Sequence, residues 1–211
     1  MKPSEELATW YFRLNGFLTI PNFILHPLKR GGQRTDFDVI GVRFPYRREF
    51  EEEHDEPEFQ KQRPYLIFVE VKTGEAEFNK AWTESAKGNL SDVLQAVGMF
   101  PPRDNGRIAE QLSLQGWLEN EIGCVSLLAI GERLATSKGE NYREAPHRTW
   151  DQILHFIFNR FEQFGRVKTD NEQWDTTGKD LWDLYVSNKT FKAFSVAARR
   201  KFLLARDRQG Q

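Results

Sequence analysis

A chain of 211 residues with a formal net charge of -1 carries no global field that would announce a polyanionic partner, so such a partner must be met by local charge. A single cysteine, Cys124, excludes an internal disulfide and a cysteine-based metal cluster. No apolar run approaches the length of a membrane span, and the polar, acidic start MKPSEELATW lacks a secretory apolar core, so the expectation is a soluble cytoplasmic protein with no membrane partner.

Residues 4–15, SEELATWYFRLN, predict a helix. Ser4 can cap it, Glu5 and Glu6 suit the positive end of its dipole, and Leu7, Trp10, Tyr11 and Leu14 make an i, i+3, i+4, i+7 stripe. Gly16 supplies the stop. FLTIPNFIL, 17–25, predicts a strand interrupted at Pro21, which suits a sheet edge. LKRGGQR, 28–34, is a basic glycine-rich loop. TDFDVIGVRF, 35–44, predicts a strand with Asp36, Asp38 and Ile40 on one face and Phe37 and Val39 on the other. Residues 47–64, containing EFEEEHDEPE, predict a solvated, mobile insertion. The strands on either side of it are expected to be antiparallel neighbours.

The stretch YLIFVEVKTG, 65–74, is apolar on both faces until Glu70, as in a central strand covered on both sides. Glu70 and Lys72 then share a face at its end, and Gly74 marks a turn. Beyond it, AEFNKAWTESAKG reads as a short helix at most. NLSDVLQAVGMF, 89–100, predicts a helix capped at Asn89 or Ser91 and ended by Pro101 and Pro102. IAEQLSLQGWLEN, 108–120, predicts another helix, and GCVSLLAIGE, 123–132, a buried strand. TWDQILHFIFNRFEQF, 149–164, is helical with Trp150, Ile153, Ile157, Phe161 and Phe164 on one face, and two further helices are expected near 176–187 and 190–206. The simplest division is a core over 1–132 and a helical C-terminal extension over 133–211. The tail KTFKAFSVAARRKFLLARDRQ, with seven basic residues and one acid, reads as a packed segment that also touches phosphates. His26, His54, His147 and His155 lack metal-ligand spacing.

Two charges at the end of a buried strand are costly unless they pair or meet an ion. The plain reading is a strand-end ion pair. The other begins from the acids expected beside it: Asp36 and Asp38 on the neighbouring strand, Glu5 and Glu6 on the first helix. Carboxylates brought together raise one another's pKa, and a divalent cation removes the repulsion. Mg²⁺ favours a few carboxylate oxygens together with water and phosphate, and a lysine beside it can assist an attacking water.

The order of a glutamate-bearing helix, a strand, a D-x-D strand, an E-x-K strand, a helix and a strand resembles the PD-(D/E)xK nuclease superfamily, with the restriction-endonuclease-like fold. The nearest likeness is to Holliday junction resolvase-like and small bacterial endonuclease-like proteins. SEELATWYFRLNGF, TDFDVIG and FVEVKTG carry the resemblance, within roughly the first 130 residues. It implies an α/β protein, an αβββαβ core with a mixed sheet flanked by helices, followed by the helical extension. It implies hydrolysis of DNA phosphodiester bonds with Mg²⁺, or Mn²⁺ in its place. Asp38, Glu70 and the Val71 carbonyl would hold the metal, and Lys72 would be the catalytic lysine. Glu5 matches the helix glutamate, with Glu6 as its substitute, and Gln95 resembles a helix glutamine of some branches. Phe37 stands before Asp38 where the motif name has proline. Lys29, Arg30 and Arg34 would meet phosphates at the mouth of the site, and a homodimer follows by analogy. The alternative is a nucleic-acid-binding or assembly module with a degenerate site.

Overall fold

The computed structural model describes residues 1–25, 35–47, 55–79, 82, 88–134, 145–164 and 174–204, leaving the side chains of Thr35 and Asp36 aside. Helix α1 (Pro3–Leu14) opens the chain. Ser4 lies inside the helix and Lys2 precedes it, so the cap differs from expectation: the Glu5 carboxylate reaches back and accepts the Lys2 backbone N–H at 2.9 Å. Leu7, Ala8, Trp10, Tyr11, Phe12 and Leu14 are all buried, more than one stripe, because α1 is covered both by the sheet and by the C-terminal helices.

Strands β1 (Leu18–Leu25), β2 (Thr35–Arg43) and β3 (Tyr65–Val71) form an antiparallel meander, as the sequence order suggests. A two-residue β4 (Glu75–Ala76) follows. Helices α2 (Asn89–Val97) and α3 (Asn105–Gln115) cross to β5 (Trp117–Glu119) and β6 (Cys124–Gly131). The order is β1-β2-β3-β6-β5, with β6 parallel to β3 and β5 antiparallel to β6. The short β7 (Arg133–Leu134) pairs with β4, and β8 (His147–Thr149) runs parallel to the end of β6. The molecule is thus an α/β protein with a mixed sheet. The two central strands, β3 and β6, are buried along their whole length, which is why both read as unbroken apolar runs.

Side-chain alternation divides the core in two. Ile67, Val69, Leu128 and Ile130 face α1 and the helices α4 (Trp150–Phe164), α5 (Thr176–Ser187) and α6 (Phe191–Ala198). Leu66, Phe68, Val125 and Leu127 face α2, α3 and Trp82. A π-helical turn, Arg199–Leu203, continues α6. Phe161 and Phe194 join the first cluster, so the C-terminal helices complete the core of the sheet.

Three expectations are corrected. The helix expected over 108–120 ends at Gln115, because Gly116 turns to φ +75° and releases Trp117–Glu119 to pair with β6. The helix expected to reach Pro101 stops at Val97, with Gly98 at φ +72°. The acidic insertion is anchored from residue 55 onward rather than wholly solvated: Asp55 is 2% exposed and Phe59 is fully buried, while Pro57, Glu58, Gln60 and Gln62 stay exposed. Asp55 takes Arg43 at 2.9 Å, Arg47 at 2.7 Å and Arg160 of α4, partners that lie too far along the chain for a charge run to reveal.

Gly116→Ala is expected to destabilise the fold by about 1–3 kcal/mol, since positive φ disfavours a side chain and a Cβ there meets the Ala145 Cα at 3.0 Å. Urea unfolding checks this. An unchanged midpoint would mean that the turn relaxes freely.

Candidate active site

The β2–β3 ladder ends at Val39 paired with Val69, so its continuation sets Asp38 opposite Glu70. The expected alternation fails at this point. Phe37 and Ile40 both enter the second core cluster, while Val39 enters the first. Across the strand pair from Asp38, Asn22 has φ +50°, a left-handed residue that interrupts β1 at the same level. The break frees the Asp38 carboxylate from a regular strand position. Its Oδ2 accepts the Val71 N–H at 2.7 Å, and its Oδ1 makes no hydrogen bond among the described residues. Peptide groups in a strand alternate direction. Lys72 N–H donates to Ile130 of β6, so the Val71 N–H and C=O turn toward β2 and Asp38.

Glu70 is 6% exposed and both its oxygens are engaged. Oε1 meets the Lys72 Nζ at 2.5 Å, and Oε2 accepts the Trp82 indole N–H at 2.9 Å. Glu5, 4% exposed on the first turn of α1, adds a third acid whose charge reaches Asp38. Burial pushes the Asp38 carboxyl up to about 6, with the Glu70 and Glu5 charges adding to it and the Val71 N–H and Lys2 opposing. The consequence has a definite sign. A carboxyl whose pKa rises on folding stabilises the folded state while protonated, and that contribution is lost as pH climbs from about 4 to about 6. Asp38→Asn keeps an acceptor for the Val71 N–H without a charge. In the absence of metal its Tm is expected to match wild type near pH 4 and exceed it by a few degrees above pH 6. Parallel Tm profiles across this range would mean that Asp38 is not crowded.

The site thus joins Asp38, Glu70, Val71 and Lys72, with Glu5 nearby. Gln95 lies exposed on α2, whose core face is Leu90, Val93 and Leu94, and has no bond to these groups. The side chain of Asp36 and all of Lys29, Arg30 and Arg34 fall outside the described residues, as do His26 and His54. His155 is exposed, edge-on to Phe191, and His147 bonds the Ala145 carbonyl. In the basic tail Phe194 and Phe202 are buried, Arg199 pairs with Glu132 at 2.6 Å and Lys201 with Asp180 at 2.7 Å, while Val196 is 63% exposed.

No group of three or more His, Cys, Asp or Glu side chains among the described residues is arranged to hold a metal ion. A metal here would rest on two carboxylates and the Val71 carbonyl. That all-oxygen set, with Asp38 Oδ1 unbonded among the described residues and the carboxyl crowded, fits a hard cation such as Mg²⁺. Sequence reasoning did not find Trp82 and Trp150. Trp82 bonds Glu70, and the Trp150 indole N–H donates to the Lys72 carbonyl at 3.0 Å. They stand 12 and 78 residues away from these partners, and no local pattern marks them. Among the described residues, no helix is long and apolar enough to cross a membrane. Comparison of the chain with protein-family models, with curated proteins and with solved structures finds no match in any of the three.

Proposed function

We propose that this chain is a cytoplasmic, metal-dependent nuclease that hydrolyses DNA phosphodiester bonds, a PD-(D/E)xK-type enzyme with Mg²⁺, or Mn²⁺ in its place. The observation that carries the reading is the meeting of Asp38, Glu70 and Lys72 at adjacent strand ends, with Asp38 tied to the Val71 N–H. Asp38, Glu70 and the Val71 carbonyl would hold Mg²⁺, which would supply Lewis-acid charge to the scissile phosphate. The two carboxylates orient that charge. Lys72 gives up part of its contact with Glu70 and directs its N–H donors at the attacking water and at the negative charge that grows on phosphorus-bound oxygen. Water would form the new P–O bond as the bond to the departing sugar oxygen breaks, its proton passing to bulk water and the sugar oxygen taking one from solvent. Lys2, mostly exposed at the start of α1, and the basic loop over 28–34 supply cations for the flanking phosphates. A homodimer fits the same reading by analogy.

A second reading is a nucleic-acid-binding or assembly module that has lost catalysis. The full engagement of Glu70 favours it, because Lys72 and the Trp82 N–H together already satisfy both oxygens of that carboxylate. Cleavage of linear, nicked, branched and single-stranded DNA, with Mg²⁺ or Mn²⁺, separates the two. The nuclease cuts at least one substrate and stops when a chelator is added. Binding to DNA without cleavage under any of these conditions would favour the module.

A further inference from the structure

We infer that Trp82 and Trp150 are positioning residues, whose indole N–H groups fix the two ends of the Glu70–Lys72 segment. The inference rests on the nuclease reading for its effect on metal and turnover. The terminal torsion of a glutamate is broad, so burial alone does not set which oxygen faces the site. Trp82 sets it. Its ring is 1% exposed and stacks on Phe37 at 3.5 Å and 15°, and Phe37 in turn stacks on Phe68 of β3. From this fixed ring the N–H takes Glu70 Oε2, leaving Oε1 on the Lys72 side.

The chemistry of the donor matters. An indole is neutral and only donates, so it aims the carboxylate without cancelling its charge, whereas an arginine in its place would compete with a cation. Water cannot replace it in a position this buried, so its removal leaves a carboxylate oxygen without a partner.

Trp150 acts on the other end. Lys72 lies one residue beyond the last paired residue of β3, where a strand end would fray. Its N–H donates to Ile130 and its carbonyl accepts from the buried Trp150 indole, so the root of the lysine is held on both sides. The ammonium then swings from a fixed origin. The two roles differ: Trp82 aims a ligand, and Trp150 aims a donor.

Trp82→Phe keeps a ring against Phe37 and removes only the N–H. Calorimetric titration with Mn²⁺ is expected to show about a tenfold loss of affinity, the usual scale for a group that orients a metal ligand. Saturating Mn²⁺ should restore much of the cleavage rate. Trp150→Phe is expected to keep the wild-type Mn²⁺ affinity and lower kcat. A purely structural role for either indole would lower Tm and leave both Mn²⁺ affinity and kcat unmoved, which would overturn the inference. Should Trp82→Phe fail to fold, ¹⁵N-indole spectra of the wild type decide: the Trp82 N–H must shift on Mg²⁺ addition further than indoles remote from the site, and equal shifts would overturn the inference. If the wild type itself neither binds Mn²⁺ nor cuts DNA, the nuclease reading fails and takes this role with it. If the wild type does both and Trp82→Phe matches it, the nuclease reading stands and the positioning role falls.

Discussion

Replacing Lys72 with alanine is expected to lower kcat for DNA cleavage by about 10²- to 10³-fold, the range for losing one preorganised donor to transition-state charge. Mn²⁺ affinity should change little or rise, because Glu70 Oε1 loses its competing ammonium at 2.5 Å. Substrate binding should also persist, since the lost contact belongs to the transition state. The cost in stability is small. Lys72 is a third exposed, and Glu70 keeps the Trp82 N–H, so the metal-free Tm should fall by no more than a few degrees. Rates measured against Mn²⁺ concentration separate this variant from Asp38→Ala, in which a ligand is lost and higher Mn²⁺ recovers part of the activity. Full cleavage by Lys72→Ala would end the proposed mechanism. A collapse in Tm for both variants would point to the strand-end ion pair as a structural device.

The largest loss of stability is expected at Asp55, away from the site. Its carboxylate is shared by Arg43 and Arg47, at 2.9 and 2.7 Å, and by Arg160. Arg43 and Arg160 are themselves buried, held additionally by the Asn15 and Leu14 carbonyls at 3.1 and 2.8 Å. Carbonyl dipoles satisfy N–H groups but do not neutralise charge. Asp55→Ala therefore takes the carboxylate away from the buried Arg43, at a cost of about 3–5 kcal/mol. For a chain of this size that lowers Tm by roughly 10 °C. Asp55→Asn retains an acceptor and should fall between the two. Thermal and urea unfolding report the change, and the DNA cleavage rate below the transition should stay at the wild-type value. A loss under about 1 kcal/mol would show that the arginines find other counter-charges easily.

What the residues disclose by themselves depends on the range of the forces involved. Tyr65–Val71 and Cys124–Gly131 were legible because a strand buried on both faces leaves an unbroken apolar run. The nearness of Asp38 to the Glu70–Lys72 segment is legible in the order of the two strands, whose pairing sets Asp38 opposite Glu70. The break at Asp38 was not, because it depends on Asn22 of the next strand and on Phe37 leaving its regular face for Trp82. The end of α3 was missed although Gly116 stands there, since Trp117 and Leu118 continue an apolar pattern that suits helix and strand alike. The acidic run looked solvated because three arginines at 43, 47 and 160 give no joint signal along the chain. Gln95 belongs to a helix whose apolar face was read well, but position on a helix does not say how near the helix end comes to the site.

The packing of α1 bears on the order in which the protein can be made. Its residues touch segments that a ribosome adds much later: Trp10 donates to Asp175 at 2.8 Å, Glu6 accepts from Thr177 at 3.0 Å, and the Leu14 carbonyl accepts from Arg160 across 146 positions. At about 5–20 residues per second, roughly 7 to 30 seconds separate the synthesis of Leu14 from that of Arg160. Through that interval α1 lacks the later helices that it is finally buried against, and a helix of 12 residues is marginal by itself in water. The final burial of α1, which carries Glu5, is therefore completed only when the later helices have been made. The later-made helices act as the latch on the earlier-made α1.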